Sequence, residues 1–213
     1  MEFAFIKLQN TPMGYIMKYQ LVRDTIDTDD IDALCEWLKS NPRLSKGPLT
    51  TEFEKQWAEW LGTKYAVYVN SGSSANLIAL HALIEEGTLS RGDKVVVPAV
   101  SWATDLSPVM QLGLEPVLCD CNLEQICSSQ KPKAVMFVSV LGLVPDMARV
   151  VDICKEHDVC LIEDACESFG SRFANQKIGT FGKLSTFSLY FGHHLSTIEG
   201  GIVATNDSTL YNI

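Results

Sequence analysis

Imidazoles and carboxylates at strand ends can move protons and hold charged ligands, and this chain carries several such positions. His193 and His194 follow the alternating run Thr186 to Phe191 and Gly192, and Gly200-Gly201 leads into a second β-rich run over 202–205. The pattern predicts strand, tight turn, strand, with both histidines at the turn. Histidine titrates near neutral pH, so the pair suits proton transfer or ligand binding; it equally suits two surface or packing side chains. Asp164 closes the apolar run VCLIE, again at a strand end. The small residues Ser71-Gly72-Ser73-Ser74-Ala75 sit between the run YAVYVN and a good helix over 76–86. Strand, small-residue turn and helix aim backbone N–H groups and a helix N-terminus at an anion. This turn lacks both the dinucleotide glycine pattern and the P-loop lysine, and a small-residue turn also works with no ligand. Trp102 is either a stacking surface or a packing aromatic beside Pro98, and Ser188 is either a ligand-facing or an ordinary outward hydroxyl.

The elements that must position these residues alternate. Asp29 to Lys39, with Ile31, Leu34, Cys35 and Leu38, fits an amphipathic helix stopped at Asn41-Pro42. Residues 1–20 read as an extended arm. Thr50 or Thr51 is expected to cap a second helix running to Trp60 and ending at Gly62. Strands are then expected at 65–70, 94–97, 115–120, 133–140 and 159–163, with helices at 76–86, 101–112 and 147–157. Repeated β-α units whose strands are near-continuous Val, Ile and Leu predict an α/β fold with a mostly parallel sheet flanked by helices. In such a sheet Ser73, Trp102, Asp164, Ser188 and His193 all fall at one edge.

Composition narrows the function. The 213 residues are 46% hydrophobic and 20% charged, ordinary for a globular protein, and a formal net charge of -9 with no Lys/Arg cluster argues against nucleic-acid or anionic-membrane binding. Neither a signal-peptide pattern nor a run of membrane-spanning length is present, which predicts a cytoplasmic protein. The seven cysteines include Cys119, Cys121 and Cys127, close enough to suggest a metal site but without the partner spacing for four ligands; reduced thiols packed in strands are the alternative. No metal is expected.

Taken in order, the loop and helix start at Gly47 to Phe53, KYAVYVNSGSSANLIAL, GDKVVVPAVSWATDLSPVMQLGLEPVLCD, LIEDACESFGS and GTFGKLSTFSLYFGHHLSTIEGG resemble the DegT/DnrJ/EryC1/StrS family of pyridoxal-phosphate sugar aminotransferases. The resemblance covers roughly 44–207. It implies an aspartate aminotransferase-type large domain over 44–213, preceded by an arm and helix over 1–43. Relative to the family pattern, the C-terminal small domain is absent and the segment between Asp120 and Lys133 lacks most of a helix. It further implies that Gly72, Ser73, Ser74 and Ser188 hold the cofactor phosphate, that Trp102 stacks on the pyridine ring, that Asp164 pairs with the ring nitrogen and that Glu167 lies near the ring hydroxyl. A carboxylate at that nitrogen keeps it protonated and makes the ring an electron sink.

One departure decides the branch. Five residues after the phosphate-binding serine the aminotransferases carry the lysine that binds cofactor covalently; here that residue is His193, and no lysine follows Lys183. Imidazole forms no stable Schiff base but moves protons near neutral pH. The resemblance therefore narrows to the 3-dehydratase branch. It implies pyridoxal 5'-phosphate and pyridoxamine 5'-phosphate as cofactors, glutamate as amino donor, a nucleotide-linked 4-keto-6-deoxy sugar as substrate, His193 as catalytic base and a homodimer. PAVSWAT and STIEGG look closer to the GDP-sugar member than to the CDP-sugar member. The alternatives are a sugar aminotransferase of the same family and a noncatalytic remnant of the fold.

Overall fold

The computed structural model describes residues 25–120 and 122–213; the arm expected over 1–20 lies outside the described residues. Helix α1 (Thr28–Lys39) opens on a capping box in which Asp27 accepts the N–H groups of Asp29 and Asp30 while Asp30 accepts that of Asp27. It buries none of its residues. Helix α2 (Pro48–Leu61) starts before the expected threonine cap: Pro48, with φ preset and no N–H to satisfy, takes the first helical position after Gly47, and Thr51 Oγ1 donates back to the Gly47 carbonyl at 3.3 Å.

Strand β1 (Tyr65–Val69) leads into α3 (Gly72–Glu86), so the small-residue segment is the first turn of the helix rather than a separate loop. The alternation continues through β2 (Lys94–Pro98), α4 (Ala103–Gln111), β3 (Glu115–Cys119), α5 (Leu123–Gln130), β4 (Ala134–Val138), α6 (Met147–Glu156) and β5 (Cys160–Asp164). The segment after Asp120 thus keeps a short helix, capped by the Asn122 side chain on Gln125 N–H at 3.0 Å. An unanticipated hairpin, β6 (Arg172–Phe173) and β7 (Gln176–Lys177), precedes β8 (Leu184–Ser188), β9 (Gly201–Thr205) and α7 (Ser208–Asn212).

The seven-stranded sheet has the order β1-β9-β8-β5-β4-β2-β3. All pairs from β8 to β3 are parallel, and β9 runs antiparallel to both β8 and β1. Six strands therefore end on one edge. Alternate residues feed two cores: Val96, Val135, Leu161, Phe187 and Ile202 face α2, α5 and α6, whereas Val95, Val97, Met136, Ile162 and Val203 face α3, α4 and α7. This is the predicted sheet, mostly parallel and covered on both faces. Between β8 and β9 the chain does not make the expected tight turn. Sheet register ends at the Ser188–Gly201 pair, and residues 189–200 form a longer excursion tied by Leu189 N–H to Gly200 O, Phe191 N–H to Ile198 O and Thr197 N–H to Leu189 O.

Glu163 braces the approach to β8. It is 1% exposed, and its carboxylate accepts the N–H groups of Gly179 (2.7 Å), Phe181 (2.6 Å) and Gly182 (2.6 Å). Glu163→Leu leaves those three donors without acceptors, at about 1–3 kcal/mol for each unmet group. The urea midpoint of the variant is expected to fall sharply; an unchanged midpoint contradicts the bracing role.

Candidate functional site

The candidate residues converge on the strand-end edge. Ser71 caps α3, its Oγ accepting Ser74 N–H at 3.1 Å, while Gly72 and Ser73 present first-turn N–H groups that have no intrahelical acceptor. A β-carbon on Gly72 would stand 2.7 Å from Ser188 Cβ and 3.0 Å from Cys166 Sγ, so only glycine lets this turn lie against the end of β8. Gly201 does the same from the other side, where a β-carbon would meet the Ser71 carbonyl oxygen at 2.2 Å. The result is a helix N-terminus with the Ser188 hydroxyl beside it, an arrangement with the polarity to receive an anion.

At the end of β5, Asp164 is 5% exposed and fully hydrogen-bonded: Oδ1 accepts Cys166 N–H at 2.9 Å and Oδ2 accepts Asn76 Nδ2 at 2.7 Å. Thr186 Oγ1 donates to Asn76 Oδ1 at 2.6 Å, which fixes the amide's orientation. The same Asn76 Nδ2 contacts Asp105 Oδ1 and the Thr104 carbonyl, each at 3.1 Å. Asn76, Asp105 and Thr186 were not singled out from sequence. The available signals were a polar residue on an otherwise apolar stretch of α3 and an acid three residues after Trp102.

Trp102 is the N-cap of α4, and its side chain is 74% exposed, an uncovered aromatic face at the same edge. Glu167 is already engaged: its Oε2 accepts Leu141 N–H at 2.6 Å and pins a residue in the left-handed region, with φ 54°. His193 is half-buried on the 189–200 excursion, its N–H bonded to the Tyr190 carbonyl at 2.9 Å. Burial pulls its pKa below the ordinary 6.5; the Glu167 and Asp164 carboxylates pull the other way and the neighbouring His194 adds to the lowering. His193 is therefore within electrostatic reach of both acids and is biased toward the neutral imidazole, the form that accepts a proton. Lys183 lies before β8, at the opposite edge, and its Nζ is held by Glu86 at 2.6 Å and Thr88 at 3.1 Å. Among the described residues no helix is long and apolar enough to cross a membrane.

Comparison with known proteins gives a consistent set of matches. The pattern of the DegT/DnrJ/EryC1/StrS aminotransferase family matches residues 24–213. The GDP-4-keto-6-deoxy-D-mannose 3-dehydratase of Yersinia pseudotuberculosis is 37% identical over 93% of this chain and 53% of its own length. An E. coli GDP-4-keto-6-deoxy-D-mannose-3-dehydratase with bound hydrated PLP superposes with a TM-score of 0.84 at 36% identity, covering 93% of this chain and 54% of that one. A GDP-4-keto-6-deoxymannose-3-dehydratase carrying a histidine-to-asparagine change, with bound GDP-perosamine, also superposes at 0.84 with 36% identity, over 92% and 53% of the two chains. The chain spans about half the length of the curated relatives it matches.

The electrostatics give a direct check. In an NMR titration the His193 imidazole is expected to have a midpoint below 6.5, and Glu167→Gln, by removing an anion that favours the charged ring, should lower it further. A midpoint that rises in the variant contradicts the placement of these two side chains.

Proposed function

The chain belongs to the DegT/DnrJ/EryC1/StrS aminotransferase family, and from that premise we propose that it is the large-domain portion of a pyridoxal-phosphate-dependent 3-dehydratase acting on a GDP-linked 4-keto-6-deoxy sugar. The observation that carries the reading is His193, a half-buried imidazole near two carboxylates, at the position where the aminotransferases use lysine. The nearest preceding lysine is tied down at the far edge of the sheet. Relatives named as 3-dehydratases of the GDP sugar, one of them solved with PLP, support the same assignment.

The residues present fit the cofactor. The first turn of α3 and the Ser188 hydroxyl would hold its phosphate, the Asp164 carboxylate its ring nitrogen and the exposed face of Trp102 its ring. Pyridoxamine phosphate supplies an amine for the C4 ketone of the sugar and a ring that accepts electrons as the C3 hydroxyl leaves. His193, neutral at its reacting nitrogen, would take the proton released at the reacting carbon. Glu167 would keep the 140–143 turn, and with it one wall of the site, in place. Glutamate would serve as amino donor. The apolar rim of Val100, Trp102, Leu141 and Leu143, each 73% exposed or more, supports a second copy of the chain closing over this edge.

With pyridoxamine phosphate and the GDP-linked 4-keto-6-deoxymannose, mass measurement should show the 3-deoxy product. His193→Ala is expected to lower turnover by about 10²–10⁴-fold while cofactor still binds, and undiminished turnover in that variant removes the proposed base. A wild-type chain that borohydride links covalently to pyridoxal phosphate contradicts the histidine argument, and failure to bind either cofactor form contradicts the function as a whole. Light scattering should return twice the 23.6 kDa chain mass; a monomer at micromolar concentration counts against the paired arrangement.

A further inference from the structure

Asp105, on the first turn of α4, takes no part in the reading above, yet it is 0% exposed and lies against the Asp164 cluster. Its place in the first turn explains one of its contacts: it accepts the hydroxyl of Ser101, four residues before it. That place does not explain its contact with α3. Asn76 Nδ2 donates to both acids, reaching Asp105 Oδ1 at 3.1 Å and Asp164 Oδ2 at 2.7 Å, so two buried carboxyl groups sit side by side on one amide. Two carboxyl groups this close and out of water cannot both ionise without a cation between them, so the pair keeps a proton.

We propose that Asp105 is a positioning residue for Asp164: across their shared Asn76 amide it holds the single proton of a buried carboxyl pair and leaves the Asp164 carboxylate as the one charged acceptor at the sheet edge. Of the two acids Asp164 takes the shorter Asn76 bond, 2.7 Å against 3.1 Å, and the Cys166 backbone N–H besides, which suits the ionised partner. Burial, and then the charge of Asp164, push the Asp105 carboxyl from 3.8 up to about 8. The groups facing Asp105 are the Asp164 carboxylate and the Cys166 thiol from the end of β5, Asn76 from α3, and Ser101 and Trp102 from its own loop; none of these is a cation. An electrically neutral Asp105 gives the pair one negative charge rather than two. The role toward a ligand rests on the proposed cofactor function, in which Asp164 meets the ring nitrogen.

Two measurements test it on the chain as it stands. The folded state binds the Asp105 proton more tightly than the unfolded chain does, so unfolding free energy should fall as pH rises from about 4 to about 8. Asp105→Asn, which keeps a neutral polar side chain beside Asp164 but cannot titrate, should flatten that slope; parallel curves for wild type and variant overturn the shared proton. In calorimetric titrations with pyridoxamine phosphate at pH 7, Asp105→Ala should weaken binding by about tenfold and Asp105→Asn by no more than about threefold. In an Asp164→Asn background, Asp105→Ala should cost nothing further. Equal losses in both backgrounds overturn the positioning role. No binding by wild type removes the cofactor function and the positioning role together, and the stability curves alone then decide the shared proton. If Asp105→Ala does not fold, the Asn variant still decides the matter in both assays.

Discussion

A carboxylate taken out of water at the end of a strand has to be met by donors, and much of this molecule's edge is arranged around meeting Asp164. The cost of an unmet buried charge is several kcal/mol, comparable to the stability of a whole domain. The donors come from different parts of the chain: the Asn76 amide from α3 and the backbone after β5, with Thr186 of β8 orienting the amide and Asp105 of α4 adjoining it. The bonds that satisfy the charge therefore also lock α3, α4, β5 and β8 to one another. Stability and the geometry of the candidate site are two readings of the same contacts.

Backbone approach supplies the other half of the arrangement. The first turn of α3 is useful to an anion only if it lies close to the Ser188 hydroxyl, and side chains at positions 72 or 201 would hold the elements apart. Glycine carries an entropic cost inside regular structure, about 0.5–1 kcal/mol relative to alanine. Its presence both at the start of a helix and at the start of a buried strand marks a place where closeness outweighs that cost. The opposite edge of the sheet carries a different kind of chemistry, with Lys183 held by Glu86 and Thr88.

How much of this could be read beforehand depended on whether the signal was local. The sheet was legible because parallel strands buried on both faces must be continuously apolar, as Val95, Val96 and Val97 are, and the strand-end positions of Trp102, Asp164 and Ser188 followed from it. Features set by long-range partners were not legible. Alternation continues past Ser188 to Phe191, yet the sheet ends at Ser188 because β9 begins its pairing at Gly201. The threonine cap expected for α2 lost to Pro48, whose own geometry starts a helix. Asn76 and Asp105 looked like ordinary helix residues because their importance lies in partners 88 and 29 residues away along the chain. Glu167 was read from the family resemblance as lying near a ring hydroxyl, and its bond to the strained Leu141 backbone could only come from the fold.

The pocket's charge distribution gives a reason for histidine at position 193 that is independent of resemblance. Asp164 and Glu167 both act on that residue, and either would attract a permanently charged ammonium into an ion pair. A lysine here would have to be held off these acids by a covalent partner to remain useful at the reacting carbon. A half-buried imidazole needs no such restraint, because desolvation outweighs the two carboxylates and leaves it biased toward neutrality. Negative charge from Asp164 and Glu167 thus lies near position 193, while the N-terminal end of α3 bears no acid in its first turn. Such a separation of signs across one edge would orient the zwitterionic ligand proposed for it.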